Sequence, residues 1–281
     1  MRVEFTKMHG CGNDYVYIDG SRFPIPVDEK PDFVRKVSDR HFGVGSDGVI
    51  FINSSKNADF EMEMWNADGT RAEMCGNGIR CVAKYVYDKK LTDRIHLLIE
   101  SAGKVKSLTL VVADGQVRGV CVDMGAPELR PEQIPVRYDR MPVVGMPLTV
   151  LGKEYQATCV SMGNPHAVIF VDDVESLDLE KIGPHFEHHE AFPNRVNTEF
   201  VKALDSHTVQ MRVWERGTGE TLACGTGSCA TAVACVLNGL TGSEVTVKIR
   251  GGELKIRYDQ QGDKVYMTGP AETVFEGVLN I

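Results

Sequence analysis

Hydrophobic and polar residues alternate along much of the chain, in short runs separated by turns such as Asp114-Gly115 and Gly251-Gly252. This alternation is typical of β-strands with one buried face, and glycine turns between two such runs favour hairpins. The predicted strands cover residues 3–8, 15–19, 49–52, 60–64, 94–100, 105–112, 117–122, 155–161, 167–171, 198–203, 209–213, 245–250, 253–258 and 264–268. The pattern therefore predicts a chain built mainly from short, mostly antiparallel strands.

Two segments have a helical spacing of apolar residues instead. After Gly78 and again after Gly227, apolar side chains recur at positions i, i+3, i+4 and i+7. The segment 229–237 is apolar on nearly every side, so we expect a helix enclosed by its own domain. Two less central helices are predicted at 28–40 and 178–189, and Gly183-Pro184 should disturb the second.

The sequence is an internal duplication. Cys75 and Cys224 each begin a Cys-Gly-x-Gly turn and lie 149 residues apart, and Trp65 and Trp214 have the same separation. A weaker match pairs Gly12-Asn13 with Gly163-Asn164 at an offset of 151. Repeated order at a fixed offset indicates two copies of one structural unit.

The duplication predicts an α+β fold with two pseudo-symmetric domains, each a curled, mostly antiparallel sheet wrapped around a central helix. We place the first domain at 1–124, completed by 269–281, and the second at 125–268, with the active site in the cleft between them. The proline-rich stretch 127–147 is the expected connection.

Composition narrows the function classes. With 42% hydrophobic and 25% charged residues, the chain is an ordinary globular protein and not a disordered one. The net charge of −8 and the scattered basic residues argue against nucleic acid as a partner. No signal peptide is evident and the apolar runs are too short to cross a bilayer, so we expect no membrane partner and a cytoplasmic location.

The eight cysteines lack any Cys-x-x-Cys spacing, which argues against a zinc ribbon and a thioredoxin-type redox pair. Most of them, including Cys81, Cys229 and Cys235, should be small buried residues. The histidines 185, 188 and 189 fit a solvated helix face better than a metal site. The segment 43–48 matches G-x-G-x-x-G but follows a helix-like segment, so it is not a dinucleotide fingerprint. We therefore predict no metal and no cofactor.

Cys75 and Cys224 have a different setting from the other cysteines. A cysteine at a helix N-terminus lies beside free N–H groups and the positive end of the helix dipole, which lowers a thiol pKa below about 8.5. The glycines that follow allow the backbone N–H groups to bind a carboxylate. Two such thiols on opposite sides of a small-molecule substrate could invert a carbon, one removing its proton and the other returning one. Glu215 and Arg216, just before Cys224, are candidate substrate contacts, and Asn66 occupies the Glu215 position in the first half.

Seven segments together resemble the diaminopimelate epimerase family. They are 8–14 MHGCGND, 65–69 WNADG, 74–81 MCGNGIRC, 162–166 MGNPH, 195–197 RVN, 214–217 WERG and 223–228 ACGTGS. The resemblance spans nearly the whole chain. It implies a cofactor-independent isomerase that interconverts LL- and meso-diaminopimelate, a precursor of lysine and peptidoglycan.

The resemblance also assigns roles to residues of this chain. Cys75 and Cys224 would be the two bases. The backbone donors to the reacting carboxylate would be Gly76, Asn77, Gly225 and Thr226. Glu215 would hold the reacting ammonium group, whereas Arg216, Asn66, Asn164 and Asn197 would hold the distal end of the substrate. Asn13 and His166 match positions near the reacting centre.

The chain departs from the family pattern at two places. Many members carry Gln at the end of the segment where this chain has Asp47-Gly48, so we expect a side-chain contact to be lost there. Cys11 stands where an apolar residue is commoner, which places a third thiol near the site.

Several alternatives stay open at the level of sequence. A proline or hydroxyproline racemase would also use two cysteines, although its substrate lacks a distal amino-acid group. A non-catalytic amino-acid-binding or thiol-redox protein would tolerate serine at both cysteines. The two thiols could also form a regulatory disulfide. The sequence leaves the oligomeric state open, a homodimer included.

Overall fold

The computed structural model describes residues 2–72 and 75–280, so Met74, the first residue of the 74–81 motif, lies outside the described residues. The chain divides into two compact units, one of Met1–Val122 with Gly269–Ile281 and one of Asp123–Thr268. Within the described residues no helix is long and apolar enough to span a membrane.

The secondary structure is mostly strand. Up to Gly125 the elements are β1 (Arg2–Gly10), β2 (Asn13–Asp19), α1 (Lys30–Ser38), β3 (Gly48–Asn53), β4 (Phe60–Asn66), β5 (Arg71–Ala72), α2 (Gly76–Asp88), β6 (His96–Ser101), β7 (Lys104–Ala113) and β8 (Gln116–Gly125). The remainder comprises β9 (Met146–Val150), β10 (Lys153–Ser161), β11 (Pro165–Phe170), α3 (Leu179–Glu187), β12 (Asn197–Ala203), β13 (Thr208–Glu215), β14 (Gly219–Glu220), α4 (Gly225–Leu237), β15 (Glu244–Ile249), β16 (Gly252–Asp259), β17 (Lys264–Gly269) and β18 (Glu272–Asn280).

The two units repeat one strand order. In the first unit the neighbours run β18-β1-β2-β3-β4-β6-β7-β8, and only the pairs β2–β3 and β4–β6 are parallel. In the second unit they run β9-β10-β11-β12-β13-β15-β16-β17, with β11–β12 and β13–β15 parallel. Each unit therefore has the same pattern of antiparallel and parallel pairs. Strand β18, from the end of the chain, occupies the place in the first unit that β9 occupies in the second.

One helix in each unit is central. Most residues of α2 and α4 are buried, and each helix packs on strands of its own sheet, α2 on β1, β2, β6 and β7 and α4 on β10, β11, β12, β15 and β16. The nearly uniform apolar surface of α4 is explained by this enclosure. Helices α1 and α3 cover other strands of their units, with Phe33 and Phe186 in the respective cores. The predicted α+β class, with curled and mostly antiparallel sheets around a central helix, is confirmed.

The peripheral segments differ from the sequence prediction. The proline-rich stretch 127–147, expected as the connection between the halves, is packed into the second unit, because Ile134, Val136 and Val143 lie in its core. Helix α3 continues through Pro184 to Glu187, and the Asp178 side chain caps its start by accepting from the Lys181 N–H at 3.3 Å. Strands β9 and β18 were not predicted. The side chains of β18 are largely exposed and its pairing with β1 defines it, whereas β9 alternates and buries Met146, Leu148 and Val150 in the core of the second unit.

Buried thiols should make the protein less stable at high pH. Burial raises the pKa of both Cys81 and Cys235 to about 12, from a usual value of about 8.5. Between these values the folded chain keeps protons that the unfolded chain loses, so this stabilisation is present below about pH 8.5 and is lost as the pH rises toward 12. We expect the unfolding free energy to fall by about 1.4 kcal/mol per pH unit for each thiol.

The measurement is urea unfolding at several pH values from 8 to 11, with Cys235→Ala as the comparison. The unfolding free energy of the alanine variant should fall with pH less steeply, by about 1.4 kcal/mol per pH unit. Equal slopes for both proteins would contradict the assignment of this pH dependence to the buried thiol.

Candidate active site

Cys75 caps the central helix of the first unit. It has an extended backbone just before Gly76, and its Sγ accepts a hydrogen bond from the Gly78 N–H at 3.3 Å. This is the geometry in which an N-cap side chain satisfies a free N–H of the first turn. The thiol itself donates to Oδ1 of Asn13 at 3.1 Å. The structure thus brings together two residues that are 62 positions apart in the sequence.

The orientation of the Asn13 amide is fixed by its neighbours. Its Nδ2 donates to Oδ2 of Asp47 at 2.8 Å, and its Oδ1 also accepts from Nδ2 of Asn77 at 3.4 Å. Asp47 in turn binds the guanidinium of Arg40 at 2.8 Å. Because the amide nitrogen donates to the Asp47 carboxylate, Asn13 presents its oxygen to Cys75 and Asn77. Tyr15 lies nearby, and burial together with the charge of a Cys75 thiolate raises its pKa.

Arg80 supports the first turn of α2 from inside the unit. Its side chain is fully buried and donates to the Gly76 carbonyl at 3.1 Å, the Asn77 Oδ1 at 2.9 Å and the Pro270 carbonyl at 3.1 Å. These bonds join the Cys-Gly-x-Gly turn to the C-terminal segment that completes the unit. Arg80 was not among the candidate residues, although a lone arginine on an otherwise apolar helix face was a visible signal.

The two departures from the family pattern have local explanations. Cys11 lies in the two-residue turn between β1 and β2 with a positive φ of 53°, and its buried Sγ is 3.9 Å from Nη2 of Arg80. Burial raises the pKa of Cys11, so this third thiol is a buried neighbour of Arg80. At Gly48 a Cβ atom would lie 2.0 Å from the Trp65 carbonyl oxygen. A side chain at position 48 would therefore require this backbone to shift.

Cys224 caps the central helix of the second unit in the same way. Its Sγ accepts from the Gly227 N–H at 3.4 Å and lies 3.6 Å from Oγ1 of Thr226. Burial, followed by the charges of Glu215 and Glu199, raises the pKa of the Cys224 thiol well above its usual range, although Thr226 and the Gly227 N–H lower it. The helix N-terminus lowers this pKa through the Gly227 N–H, as expected, but burial beside two carboxyl groups outweighs that effect and the net shift is upward.

Glu215 is the carboxyl group at the end of β13. Burial raises its pKa, while hydrogen bonds from Thr221 and Cys224 lower it and the nearby Glu199 raises it. Its Oε1 accepts from the hydroxyl of Thr221. Glu215 and Cys224 are thus in direct contact. Thr221 was not predicted.

A polar chain of four side chains leads from β12 to the Cys224 turn. Oε1 of Glu199 lies 2.7 Å from Nδ1 of His166, and Nε2 of His166 lies 3.0 Å from Oδ1 of Asn164. Nδ2 of Asn164 donates to Oγ1 of Thr226 at 3.3 Å. The predicted residues His166, Asn164 and Thr226 are therefore connected, and Glu199 is the member that the sequence reasoning missed.

Asn197 and Arg216 form a second group in the same unit. The Arg216 backbone N–H donates to Oδ1 of Asn197 at 3.0 Å, and Nδ2 of Asn197 donates to the Pro165 carbonyl at 2.8 Å. The Arg216 guanidinium donates to the Asn194 carbonyl at 3.0 Å. The loop that carries Arg216 is held by Glu187, which accepts from the Gly217 N–H at 2.9 Å.

The remaining predicted residues make local contacts or begin a helix. Asn66 ends β4, and its side chain donates to Oγ1 of Thr70 at 3.0 Å. Gly76 and Gly225 are the first residues of α2 and α4. His188 bonds the Pro184 carbonyl of its own helix at 3.0 Å. In the part of the chain that the structure describes, no three histidine, cysteine or acidic side chains are grouped as a metal site would require.

Solved structures with the same fold include two from other families. A phenazine biosynthesis protein of the PhzF family from Bacillus anthracis superposes with a TM-score of 0.71 at 16% identity, covering 100% of both chains. A hydroxyproline epimerase from Agrobacterium vitis superposes with a TM-score of 0.67 at 12% identity, covering 99% of this chain and 91% of that one. At such identities the likeness concerns the fold.

Sequence relatives are much closer. A diaminopimelate epimerase from Acetivibrio thermocellus is 53% identical over 279 residues, 99% of each chain. Another from Methanococcus maripaludis strain C5 is 54% identical over 280 residues, 99% of this chain and all of that one. The family model for diaminopimelate epimerase matches residues 5–130 and 158–274. The chain therefore belongs to the diaminopimelate epimerase family.

Proposed function

We propose that this protein is an isomerase that interconverts LL- and meso-diaminopimelate by inverting one α-carbon, without a cofactor. The observation that carries the proposal is the duplicated thiol: Cys75 and Cys224 cap equivalent helices in two units of the same strand order. A reaction that moves a proton from one face of a carbon to the other needs one acid–base group for each face. The identity of the substrate is inferred from membership of the diaminopimelate epimerase family.

In the proposed reaction, one cysteine thiolate removes the proton from the α-carbon and becomes a thiol. The thiol of the other cysteine then gives its proton to the opposite face of the carbon and becomes a thiolate. One C–H bond breaks and one forms, and no electrons are transferred to another molecule. The enzyme ends with its proton on the other sulfur, so the reverse reaction uses the same two groups in exchanged roles.

The first turns of the two central helices would stabilise the intermediate. An α-carbanion is accessible only when its charge is spread onto a carboxylate that is bound by well-placed donors. The free backbone N–H groups at Gly76 and Asn77, and at Gly225 and Thr226, can supply such donors, and each helix adds the positive end of its dipole. Asn13 contacts Cys75 and His166 contacts Asn164, so both would orient groups near the reacting carbon.

Recognition of the substrate follows from its two amino-acid ends. Glu215, a carboxyl group in contact with Cys224, is suited to hold the reacting ammonium group. Arg216, Asn197, Asn164 and Asn66 would hold the distal carboxylate and ammonium groups, which proline and hydroxyproline lack. We further propose that the enzyme acts in the cytoplasm. Size-exclusion chromatography would test whether the enzyme is a homodimer.

The test is incubation of LL-diaminopimelate with the purified protein in heavy water, following the isomer ratio and the α-carbon label together. We expect meso-diaminopimelate to form with deuterium at the inverted carbon. Proline is the control substrate and should gain no label. Rapid labelling of proline in the absence of labelling of diaminopimelate would identify the chain as a proline racemase instead.

A further inference from the structure

Glu187 is a buried carboxyl group at the end of helix α3. Its side chain is 5% exposed, and it is the last residue of the helix. This position is unfavourable for a negative charge, because the helix dipole is negative at its C-terminus, and burial adds a desolvation cost. A carboxyl group at such a place needs strong compensating contacts, and these contacts indicate its role.

Three hydrogen bonds supply that compensation. Oε2 of Glu187 accepts from Nε1 of Trp214 at 2.8 Å, and Oε1 accepts from the Gly217 N–H at 2.9 Å and from Nη1 of Arg195 at 3.1 Å. An indole N–H, a backbone N–H and a guanidinium can only donate, so covalent structure fixes the direction of all three bonds. The carboxylate therefore joins α3 to β13 and to the loop that follows β13.

The Gly217 N–H belongs to the turn that carries Arg216. The Thr218 N–H donates to the Glu215 carbonyl at 3.1 Å, which makes Arg216 and Gly217 the two central residues of a β-turn. Gly217 has a positive φ of 78°, as type II turns require at their third residue. Its N–H is part of the peptide bond between the two central residues. A hydrogen bond to this N–H therefore fixes the plane of that peptide and the direction in which the Arg216 side chain leaves the backbone.

Both units bind a tryptophan indole with a carboxylate but use the second carboxylate oxygen differently. In the first unit, Oε1 of Glu63 accepts from Nε1 of Trp65 at 2.9 Å and Oε2 accepts from Nζ of Lys30 at 2.6 Å. The position that corresponds to Glu63 at the offset of 149 is Arg212. The second unit thus takes its indole partner from α3 instead of from the strand, and this carboxylate also binds the turn. Satisfying the indole alone does not require that arrangement.

We propose that Glu187 is a positioning residue for substrate specificity: by holding the Arg216–Gly217 peptide, it directs the Arg216 guanidinium to the distal carboxylate of diaminopimelate. This inference rests on the proposed function, in which Arg216 binds that end of the substrate. Without Glu187, the central peptide of the turn loses the hydrogen bond that fixes its plane. The guanidinium then loses its fixed direction, and the distal end of the substrate is bound more weakly.

The competing explanation is that Glu187 only stabilises the fold by binding the Trp214 indole. Helix α3 packs tightly on this indole, since an added Cβ at Gly183 would lie 2.2 Å from Cδ2 of Trp214. Under this explanation, any substitution that breaks the indole hydrogen bond should have the same effect on substrate binding. Under our proposal, only loss of the Gly217 hydrogen bond matters.

Three substitutions separate the two explanations. Trp214→Phe removes the indole donor and leaves the Glu187–Gly217 bond in place. Glu187→Gln should also lose only the indole bond, because two donors lie at Oε1 and one at Oε2, so the single glutamine oxygen is better placed at Oε1. Glu187→Met removes both bonds.

The first measurement is hydrogen exchange of the Gly217 N–H by NMR, which needs no activity. Labelling arginine with ¹³C at the carbonyl and glycine with ¹⁵N selects the three Arg-Gly pairs of the chain, and Arg118→Lys and Arg250→Lys identify the other two signals. We expect exchange at least about a hundredfold slower than in an exposed amide for the parent protein, Trp214→Phe and Glu187→Gln. Exchange should be fast in Glu187→Met.

The second measurement is steady-state kinetics of epimerisation. We expect Glu187→Met to raise KM about tenfold to a hundredfold with a smaller change in kcat, because the distal end of the substrate takes no part in the bond changes. Trp214→Phe and Glu187→Gln should stay within about threefold of the parent KM. A rise in KM for Trp214→Phe as large as that for Glu187→Met would overturn the proposal and favour the purely structural role.

Leu179→Ala is the matched control for lost stability. Leu179 is a buried apolar residue of the same helix, so its truncation should lower the urea midpoint and leave KM within about threefold. If Leu179→Ala raised KM as much as Glu187→Met does, the KM effect would follow from weakened packing of α3 and the proposal would be wrong.

A double substitution tests whether Glu187 acts through Arg216. Arg216→Met should raise KM by itself, and adding Glu187→Met in that background should raise KM no further. A full additional effect of Glu187→Met would show that Glu187 acts by another route and would overturn the proposal.

Glu187→Asp replaces Glu187→Met if the methionine variant does not fold, since it keeps the charge beside Arg195 and shortens the reach by one methylene group. In every folded variant KM should rise only where Gly217 exchange is fast, and either mismatch would overturn the inference. So would fast Gly217 exchange in the parent protein. Failure of the parent protein to epimerise diaminopimelate would instead overturn the proposed function, and the exchange rates would still report on the turn.

Discussion

Replacing either Cys75 or Cys224 by serine is expected to lower kcat/KM for epimerisation by about a thousandfold or more. General acid–base groups contribute about 10²-fold to 10⁴-fold, and a serine hydroxyl is a far weaker acid than a thiol. At neutral pH it can neither exist as the base that removes the α-proton nor readily return the proton. Because each cysteine serves both directions, both single variants should lose the forward and the reverse reaction.

The measurement is the rate of isomer interconversion starting from each isomer, with Cys121→Ser as the control. Cys121 is a partly exposed residue of β8, so its change to serine should leave kcat/KM within about twofold. Circular dichroism and the unfolding midpoint would show that the active-site variants are folded. A serine variant that retained more than a tenth of the activity would remove its cysteine from the proposed pair of bases.

The surroundings of the two thiols are less alike than their backbones. The Cys75 thiol donates to a neutral amide, Asn13, whereas Cys224 lies among the carboxyl groups of Glu215 and Glu199. The charges of both carboxyl groups oppose formation of the Cys224 thiolate. The two helix caps are therefore similar in backbone geometry and different in their electrostatic surroundings.

What could be predicted from the sequence was the part that depends on local pattern. The offset between Cys75 and Cys224, the apolar spacing in the following helices and the alternation in the strands all depend on residues near one another in the chain. The duplicated α+β architecture and the family followed from these. The same pattern made Glu215 a candidate substrate contact, whereas the candidate role of Asn164 came from the resemblance to the family.

The rest depends on contacts between distant residues. Strand β18 is defined by its pairing with β1, and its own residues are largely exposed. The direction of the Asn13 amide depends on Asp47, 34 positions away. The raised pKa of Cys224 depends on how deeply the thiol is buried beside Glu215 and Glu199, which the helix-cap motif alone does not encode. The direction of the pKa shift at Cys224 was therefore the least predictable property of the site.

Arg80→Met should destabilise the first unit by about 3 kcal/mol and also impair catalysis. Methionine has a similar length but leaves the Gly76 carbonyl, the Asn77 Oδ1 and the Pro270 carbonyl without their donor. Buried acceptors that lose a charged donor cost about 1–3 kcal/mol each when water cannot replace it. Asn77 would also lose the bond that holds it beside Asn13, so kcat/KM should fall about tenfold or more.

Each unit contains one tryptophan, Trp65 in the first and Trp214 in the second, so tryptophan fluorescence can follow the unfolding of each unit separately. Urea unfolding of Arg80→Met in a Trp214→Phe background would follow Trp65 alone, and its midpoint should fall by about 1 M or more. Arg118→Met, at an exposed position of β8, is the control and should leave the midpoint unchanged. If the Arg80 and Arg118 variants unfolded at the same urea concentration, the buried guanidinium would not be the link that holds the Cys75 turn to the C-terminal segment.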